Sequence, residues 1–300
     1  MAETVIKAEN LTKDYGRNRG IFQIDLDVKR GETFGFIGTN GSGKTTTIRN
    51  MMGFVRPDAG KVSILGKDAW KEATEIKNYV SYIPGEIAFP ALPTGTAFLK
   101  VQAEMLGVKD FSYMNRLIKT LQLDPTANLK RMSKGMKQKT AIVAALMGDK
   151  EILVLDEPTT GLDPLMRDVF LDLMREEKEK GRTIFMSSQI IDEMEAVCDK
   201  VAVINNGRII GILDAWSYRH ENVKNFDIVL SSNEEMKKLQ SHWGNMKINE
   251  DEGSCTISIM KKDTAKLLSV LQQFHVVSLH ENHKTLADAF KELYMSEKRK

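Results

Sequence analysis

Residues 38–45 read GTNGSGKT and satisfy the pattern G-x-x-x-x-G-K-[S/T] at each fixed position. No other stretch of the chain narrows the fold so far. A short apolar run bounded by glycine, ETFGFIG at 32–38, leads into it, and TTTIRNMMGF continues from it as a helix that ends near Pro57. Strand, loop and helix in this order give the pattern its physical meaning. Glycines at 41 and 43 let the backbone curl until successive N–H groups face a phosphate, and the new helix adds its positive end. Lys44 is then placed to reach the β- and γ-phosphates, and the Thr45 hydroxyl to bind Mg²⁺. Gly38, Asn40, Ser42 and Thr46 complete the expected cradle.

A second stretch, ILVLDEPTTGLDP at 152–164, fits the same chemistry. An apolar strand runs straight into Asp156 and Glu157, and acids at the end of a buried strand are costly unless something binds them. A phosphate loop elsewhere in the chain supplies the reason. Asp156 is suited to hold Mg²⁺, usually through water. Glu157 beside it is suited to orient an attacking water and accept its proton. Pro158 stops the strand and fixes the turn.

The rest of the first ~215 residues alternates strand and helix patterns, as an α/β domain on a parallel sheet does. IFQIDLDV, KVSILG, YVSYIP, EILVLD and TIFMSS read as strands. Residues 96–122 show helical periodicity, with Phe98, Val101, Met105 and Leu106 assigned to one face and Leu117 and Leu121 to a further segment. Helices are also expected at KQKTAIVAALMG, 164–180 and 189–197, and KVAVIN with GRIIGIL forms a hairpin at Asn206-Gly207. From about Asp214 the glycines thin out and all the histidines appear. The order there, strand–helix–strand–strand–helix–strand with a DEG turn and a last helix from about Thr285, is that of a ferredoxin-like α+β unit.

The segment RMSKGMKQKTAIVAAL at 131–146 lies upstream of the Asp-Glu pair and starts a helix at a Ser-x-Gly. With the phosphate loop and DEPTTGLDP it resembles the nucleotide-binding subunit of ABC transporters over residues 1 to about 215. The resemblance implies a P-loop ABC ATPase core at 1–214, a mixed sheet with helices, with a helical subdomain at about 86–150. The small α+β domain would follow at 215–300. It implies ATP and Mg²⁺ as cofactors, and two such subunits facing head to tail. Ser133 and the Gly135 amide would then touch the γ-phosphate held by the other copy, and Asp163 would couple the two sites. Tyr15 occupies the place of the aromatic that stacks on adenine.

Three positions depart from that family's common pattern. The signature reads M-S-K-G-M. YIPGE puts Gly85 where many members carry a glutamine on Mg²⁺, with Glu86 as the substitute ligand. FMSSQ puts Gln189 where a histidine usually senses the γ-phosphate, and residues 1–219 hold no histidine at all. A glutamine amide can donate to phosphate but cannot become cationic near neutral pH. The signature, the YIPGE loop and the appended domain resemble ABC-2 type exporters, whose membrane permease is a separate chain. The implied function is ATP hydrolysis powering export from the cytoplasmic face of the membrane, as a peripheral homodimer bound to that permease through a groove at 80–106. HKTLADAFKELY resembles the helix that closes such subunits, with Leu286 and Phe290 spaced for packing.

Other classes fit less well. A formal charge of +2 and the unpatterned basic tail EKRK do not suggest nucleic acid. A soluble ABC ATPase working on ribosomes or DNA would carry a second motif set or a long coiled-coil insertion. A low-turnover nucleotide-binding regulator is the alternative that Gln189 and Gly85 motivate. Two cysteines, Cys198 and Cys255, fit a reducing compartment, and neither a secretory leader nor a membrane-length apolar run is visible. His280 and His283 lack carboxylate or thiol support and read as a coincidental pair rather than a metal site.

Overall fold

A computed structural model describes residues 3–219, 223–243, 246–249, 254–282 and 285–298. The chain opens with β1 (Thr4–Asp14), β2 (Gly20–Lys29) and β3 (Thr33–Ile37), then α1 (Lys44–Met51), β4 (Ala59–Ile64), β5 (Lys67–Asp68), α2 (Ala73–Ile76) and β6 (Val80–Ile83). Three helices follow, α3 (Gly95–Leu106), α4 (Ser112–Thr120) and α5 (Lys134–Leu146). Next come β7 (Ile152–Asp156), α6 (Pro164–Glu179), β8 (Thr183–Ser188), α7 (Ile191–Val197), β9 (Lys200–Asn205), β10 (Arg208–Leu213) and α8 (Ala215–Arg219). The C-terminal part holds β11 (Val223–Leu230), α9 (Asn233–His242), β12 (Met246–Asn249), β13 (Ser254–Met260), α10 (Thr264–Leu271), β14 (Val276–Asn282) and α11 (Leu286–Lys298).

Two sheets make the first part. One is six-stranded in the order β10-β9-β3-β8-β7-β6 and the other is β2-β1-β4-β5. In the six-stranded sheet β3, β8, β7, β6 and β9 pair parallel, and only β10 runs antiparallel. β3, β7 and β8 are buried along their whole length, as parallel strands covered on both faces must be. The four-stranded sheet is antiparallel, so the sheet system is mixed rather than simply parallel. Its first strand, β1, had no counterpart in the sequence reading. β2 buries Ile21, Ile24, Leu26 and Val28, and a bulge at Gln23, φ 54°, resets the alternation between the first two. Side chains from both sheets and α1, among them Ile6, Leu26, Phe34, Phe36, Ile48 and Phe185, share one core.

α3 presents a different face from the one expected. Phe98, Leu99 and Ala103 are buried, whereas Val101 and Met105 are exposed, Met105 at 77%. FLKVQAEML carries apolar residues nearly all round, so spacing alone admits two stripes about one residue apart, and packing selects one. Leu117 and Leu121 are buried as expected. At Asn206-Gly207 both residues have positive φ, 47° and 74°, the pairing that a two-residue hairpin turn demands.

The chain divides into Met1–Trp216 with Phe290–Lys300, and Ser217–Ala289. The end of α11 therefore counts with the first unit, where the sequence reading kept it with the second. The second unit is a four-stranded antiparallel sheet, β12-β13-β11-β14, with α9 and α10 in the crossovers, the ferredoxin-like order. Phe226, Ile228, Leu239, Ile257 and Leu267 form its core. The DEG turn and His283 lie outside the described residues. Cys198 and Cys255 are buried and form no disulfide.

Candidate nucleotide site

The cleft is built on the turn between β3 and α1. Gly41 (φ 77°) and Gly43 (φ 115°) hold the left-handed backbone that the curl needs. A Cβ at Gly43 would meet Ile21 at 2.7 Å, so bulk as well as φ reserves the position for glycine. α1 starts at Lys44, directly after this turn, with its free N–H groups toward the loop. Lys44 is only 4% exposed, and its Nζ donates to the carbonyls of Gly38 (2.8 Å) and Thr39 (3.2 Å). A buried ammonium needs an anion, and Glu157 Oε1 stands 3.1 Å away.

The acids sit at the end of β7. Asp156 is fully buried. Its Oδ1 accepts a hydrogen bond from Ser187 at 2.7 Å, while Oδ2 has no hydrogen-bond partner. Burial raises its pKa, and the Ser187 and Thr45 hydroxyls pull the other way. A buried carboxyl with one unpartnered oxygen, near the Thr45 hydroxyl, suits a hard cation, whose charge would favour the ionised form. Gly85 leaves room there, since a Cβ on it would sit 3.1 Å from Asp156 Oδ2. Glu157 adopts φ 47°, a strained backbone for a non-glycine residue, and its N–H donates to Ser187 Oγ at 3.0 Å. Gln189 Nε2 donates to Glu157 Oε1 (2.9 Å) and to Asn40 Oδ1 (2.7 Å), linking the acid to the phosphate loop.

A cleft of about 480 Å³ runs along this surface, lined by Tyr15, Asn40, Gly41, Gly43, Lys44, Thr45, Thr46 and Glu157, and by Asn206 and Gly207 of the β9–β10 turn. Ser42 is buried behind it, and its carbonyl accepts from Gly207 N–H at 2.8 Å. Gly38 packs on β9, where a Cβ would lie 2.4 Å from Ile204 O. Tyr15 is 49% exposed, and the Lys13 ammonium lies 5.8 Å from its ring centroid.

Ser133, Gly135 and Asp163 are not among the residues that line this cleft. Ser133 caps α5, accepting from Met136 N–H at 3.2 Å, and Asp163 caps α6, accepting from Met166 N–H at 3.0 Å. The two caps belong to one packed unit, because a Cβ at Gly135 would meet Gly161 O at 2.8 Å. Buried Gln138 also donates to Pro158 O at 2.7 Å. Glu86 is exposed and, among the described residues, has no hydrogen-bond or ion-pair partner. Sequence reasoning missed Ser187 and Gln138. Ser187 stood in the quoted FMSSQ, two residues before Gln189, but a strand serine carries no signal until the neighbouring strand is known. Among the described residues no group of three or more His, Cys, Asp and Glu residues is arranged to hold a metal by itself.

The profile described as "ABC transporter" matches residues 21–160. The bacitracin transport ATP-binding protein BcrA of Bacillus licheniformis is 33% identical over 247 residues, covering 80% of this chain and 80% of that protein. This chain belongs to the ABC transporter family. The linearmycin resistance ATP-binding protein LnrL of Bacillus subtilis is 34% identical, covering 69% and 68% of the two chains. A solved ATP-binding subunit of an ABC transporter superposes with TM-score 0.64 at 30% identity, over 73% of this chain and 93% of that one. ATP binding and ATPase chemistry come with membership. The cleft between Tyr15 and Glu157 is the place in this ABC cassette whose residue types suit ATP.

Proposed function

We propose that this chain is the ATP-hydrolysing subunit of an exporter whose membrane-spanning part is a separate subunit, and that it works as a homodimer. The relatives named for bacitracin transport and linearmycin resistance support export. Among the described residues no helix is long and apolar enough to cross a membrane, so a spanning path is assigned to a partner. The permease's cytoplasmic segment is assigned to a groove of about 260 Å³ lined by Tyr82, Ile87, Phe89, Phe98 and Leu106. The chain would then lie peripherally on the cytoplasmic face of the membrane.

In this reading the loop N–H groups and Lys44 hold the β- and γ-phosphates, and Tyr15 stacks on the base. Thr45 and Asp156 would hold Mg²⁺, which when bound would offset the phosphate charge. Glu86 is proposed as a further ligand only through its loop, since Gly85 is the residue packed against Asp156. Phosphate competes with Glu157 for Lys44, and the carboxylate so released turns to the attacking water. Gln189 then keeps the acid and Asn40 aligned as a neutral donor. Ser133 and Gly135 act across the dimer on the γ-phosphate of the other copy, and Asp163 joins the two sites. The observation that carries the reading is the buried Asp156 carboxyl, on which the Thr45 hydroxyl acts and whose Oδ2 has no hydrogen-bond partner, next to a Glu157 held by Lys44 and Gln189.

The test is the ATPase rate per molecule of the purified chain against its own concentration, with Glu157→Gln as control. A rate that climbs with concentration and vanishes in the control supports the composite dimer. A flat trace that ignores the control would favour the low-turnover regulator instead. Co-purification from membranes identifies the permease.

A further inference from the structure

The C-terminal helix reaches the phosphate loop. Within the first unit, Leu293 of α11 packs on β10, where a Cβ at Gly211 would lie 2.8 Å from Leu293 Cδ1. One residue on, the Tyr294 hydroxyl donates to Asn205 Oδ1 at 2.9 Å and lies 3.3 Å from Thr39 Oγ1. A phenol has a single hydrogen, so with Asn205 accepting it the Thr39 hydroxyl is the donor in the second contact. Phe290 stands 5.4 Å from the Tyr294 ring and limits its movement.

Both partners are chain neighbours of residues that line the nucleotide cleft, Thr39 of Asn40 and Asn205 of Asn206. Asn205 ends β9 and precedes Asn206 and Gly207, which line the cleft opposite the loop. Thr39 is the second residue of the loop, and its backbone carbonyl accepts from Lys44 Nζ (3.2 Å) and from Ser42 N–H (3.2 Å). The side chain that Tyr294 holds is therefore on the residue whose carbonyl anchors the phosphate-binding ammonium. Gly207 N–H to Ser42 O joins the same two segments through the backbone. Tyr294 adds a side-chain tie between them.

We propose that Tyr294 is a positioning residue of the nucleotide site, holding the phosphate loop in its binding shape by tying Thr39 to Asn205. This rests on the cleft being the ATP site. A loop with fewer shapes to lose binds its ligand more tightly, which is the benefit of preorganisation. The effect falls on nucleotide affinity, because the hydroxyl touches neither Glu157 nor the signature residues.

The test is titration calorimetry of MgADP into the full chain, with MgATP turnover in parallel. Tyr294→Phe removes only the hydroxyl. Its Kd for MgADP and KM for MgATP should rise roughly three- to tenfold, the range for one or two neutral hydrogen bonds, with kcat within about twofold of the parent. Thr39→Val should raise Kd by a similar factor, and the double variant should be no worse than either single one, since both break the same tie. A Tyr294→Phe chain that melts lower but binds MgADP as tightly as the parent would make the tyrosine a mere clamp for the helix and overturn the proposal. Additive effects of the two substitutions overturn it as well. Should Tyr294→Phe not fold, Thr39→Val decides alone, and unchanged affinity there is fatal. A parent chain that binds no MgADP removes the ATP-site reading and this inference together, whereas a binding parent with an unaffected variant removes only the inference.

Discussion

In the first unit the buried side chains include Lys44, Asp156, Glu177, Arg182, Ser187 and Glu193, whereas the core of the second is Phe226, Ile228, Met236, Leu239, Ile257 and Leu267 and, among its described residues, no charged side chain is buried. Each buried charge needs a partner or costs stability, so a unit that keeps many of them is organised for more than packing. Two groups stand out in the first unit, while Glu193 pairs with Arg167 at 3.2 Å and accepts from Ser188. Lys44 and Glu157 line the cleft, with Asp156 buried beside them. Glu177 instead ties α6 to α4 and β8, pairing with Arg182 Nη1 at 2.6 Å and Lys180 at 2.8 Å and accepting from Tyr113. Burial raises the pKa of Tyr113, and its bond to Glu177 adds to the rise, so the phenol stays a donor across the physiological range. The second unit needs only shape and apolar area. The comparison predicts that substitutions in the two units fail in different ways.

The largest effect should come from the cleft. Glu157→Gln keeps size and hydrogen bonding to Gln189 but removes the base. Turnover should fall by roughly 10²–10⁴-fold, the usual weight of general-base catalysis, while MgATP still binds. Nucleotide titration beside a phosphate-release assay separates the two, and a variant that keeps a tenth of the rate would show that Glu157 is not the base. At the second group the expected loss is stability. Glu177→Ala leaves the buried Arg182 with only the exposed Asp149 as an ion-pair partner and should cost about 3–5 kcal/mol. Combining Glu177→Leu with Arg182→Met should recover most of that loss, because no lone charge remains. Leu239→Ala in the second unit costs about 2–5 kcal/mol through a cavity, with no partner substitution to offset it. Denaturant unfolding of the set tests this, and failure of the Glu177/Arg182 double variant to recover breaks the comparison.

A smaller, functional effect is expected at Gln189. Gln189→Ala removes the donor to Glu157 and Asn40, and turnover should drop about 5- to 20-fold, the weight of one or two ordinary hydrogen bonds. An unchanged rate would mean that Glu157 is aligned by Lys44 and its own strained backbone alone.

The sequence made the cleft legible where function forces contiguous residues. The loop at 38–45 and the acids at 156–157 are continuous strings whose spacing already states their geometry. It was mute where strands far apart in the chain meet. Ser187 supports both acids only because β8 lies beside β7, and Gly85 matters only because β6 lies on the other side. The fold followed the same division. The strand and helix patterns revealed the parallel strands and also β2 and β4, but β1 and its pairing with those two depend on contacts far apart in the chain and went unread. The rotation of α3 away from Val101 and Met105 is likewise settled by what it packs on, since its own pattern is nearly apolar all round. Tyr294 is the extreme case, 255 residues from the Thr39 hydroxyl that it meets.

The smallest expected effect sharpens the comparison by sign rather than size. Burial holds the Asp156 carboxyl above its ordinary pKa, so the folded protein binds its proton more readily than the unfolded chain. For an acid, a raised folded pKa is a penalty at neutral pH. Stability therefore rises as pH falls through the folded value and levels off below the unfolded one, the reverse of a salt-bridged aspartate. Asp156→Asn removes the charge and with it that slope. In metal-free, nucleotide-free buffer at pH 7 the variant should be more stable by about 1 kcal/mol, the usual trade at a functional residue, and Mg²⁺-dependent turnover should be lost. Thermal melts of both proteins across pH 4–8 check it. A destabilised Asp156→Asn would mean that the Ser187 bond outweighs burial, and that the carboxylate serves the fold, as the charges around Glu177 do, more than the ligand.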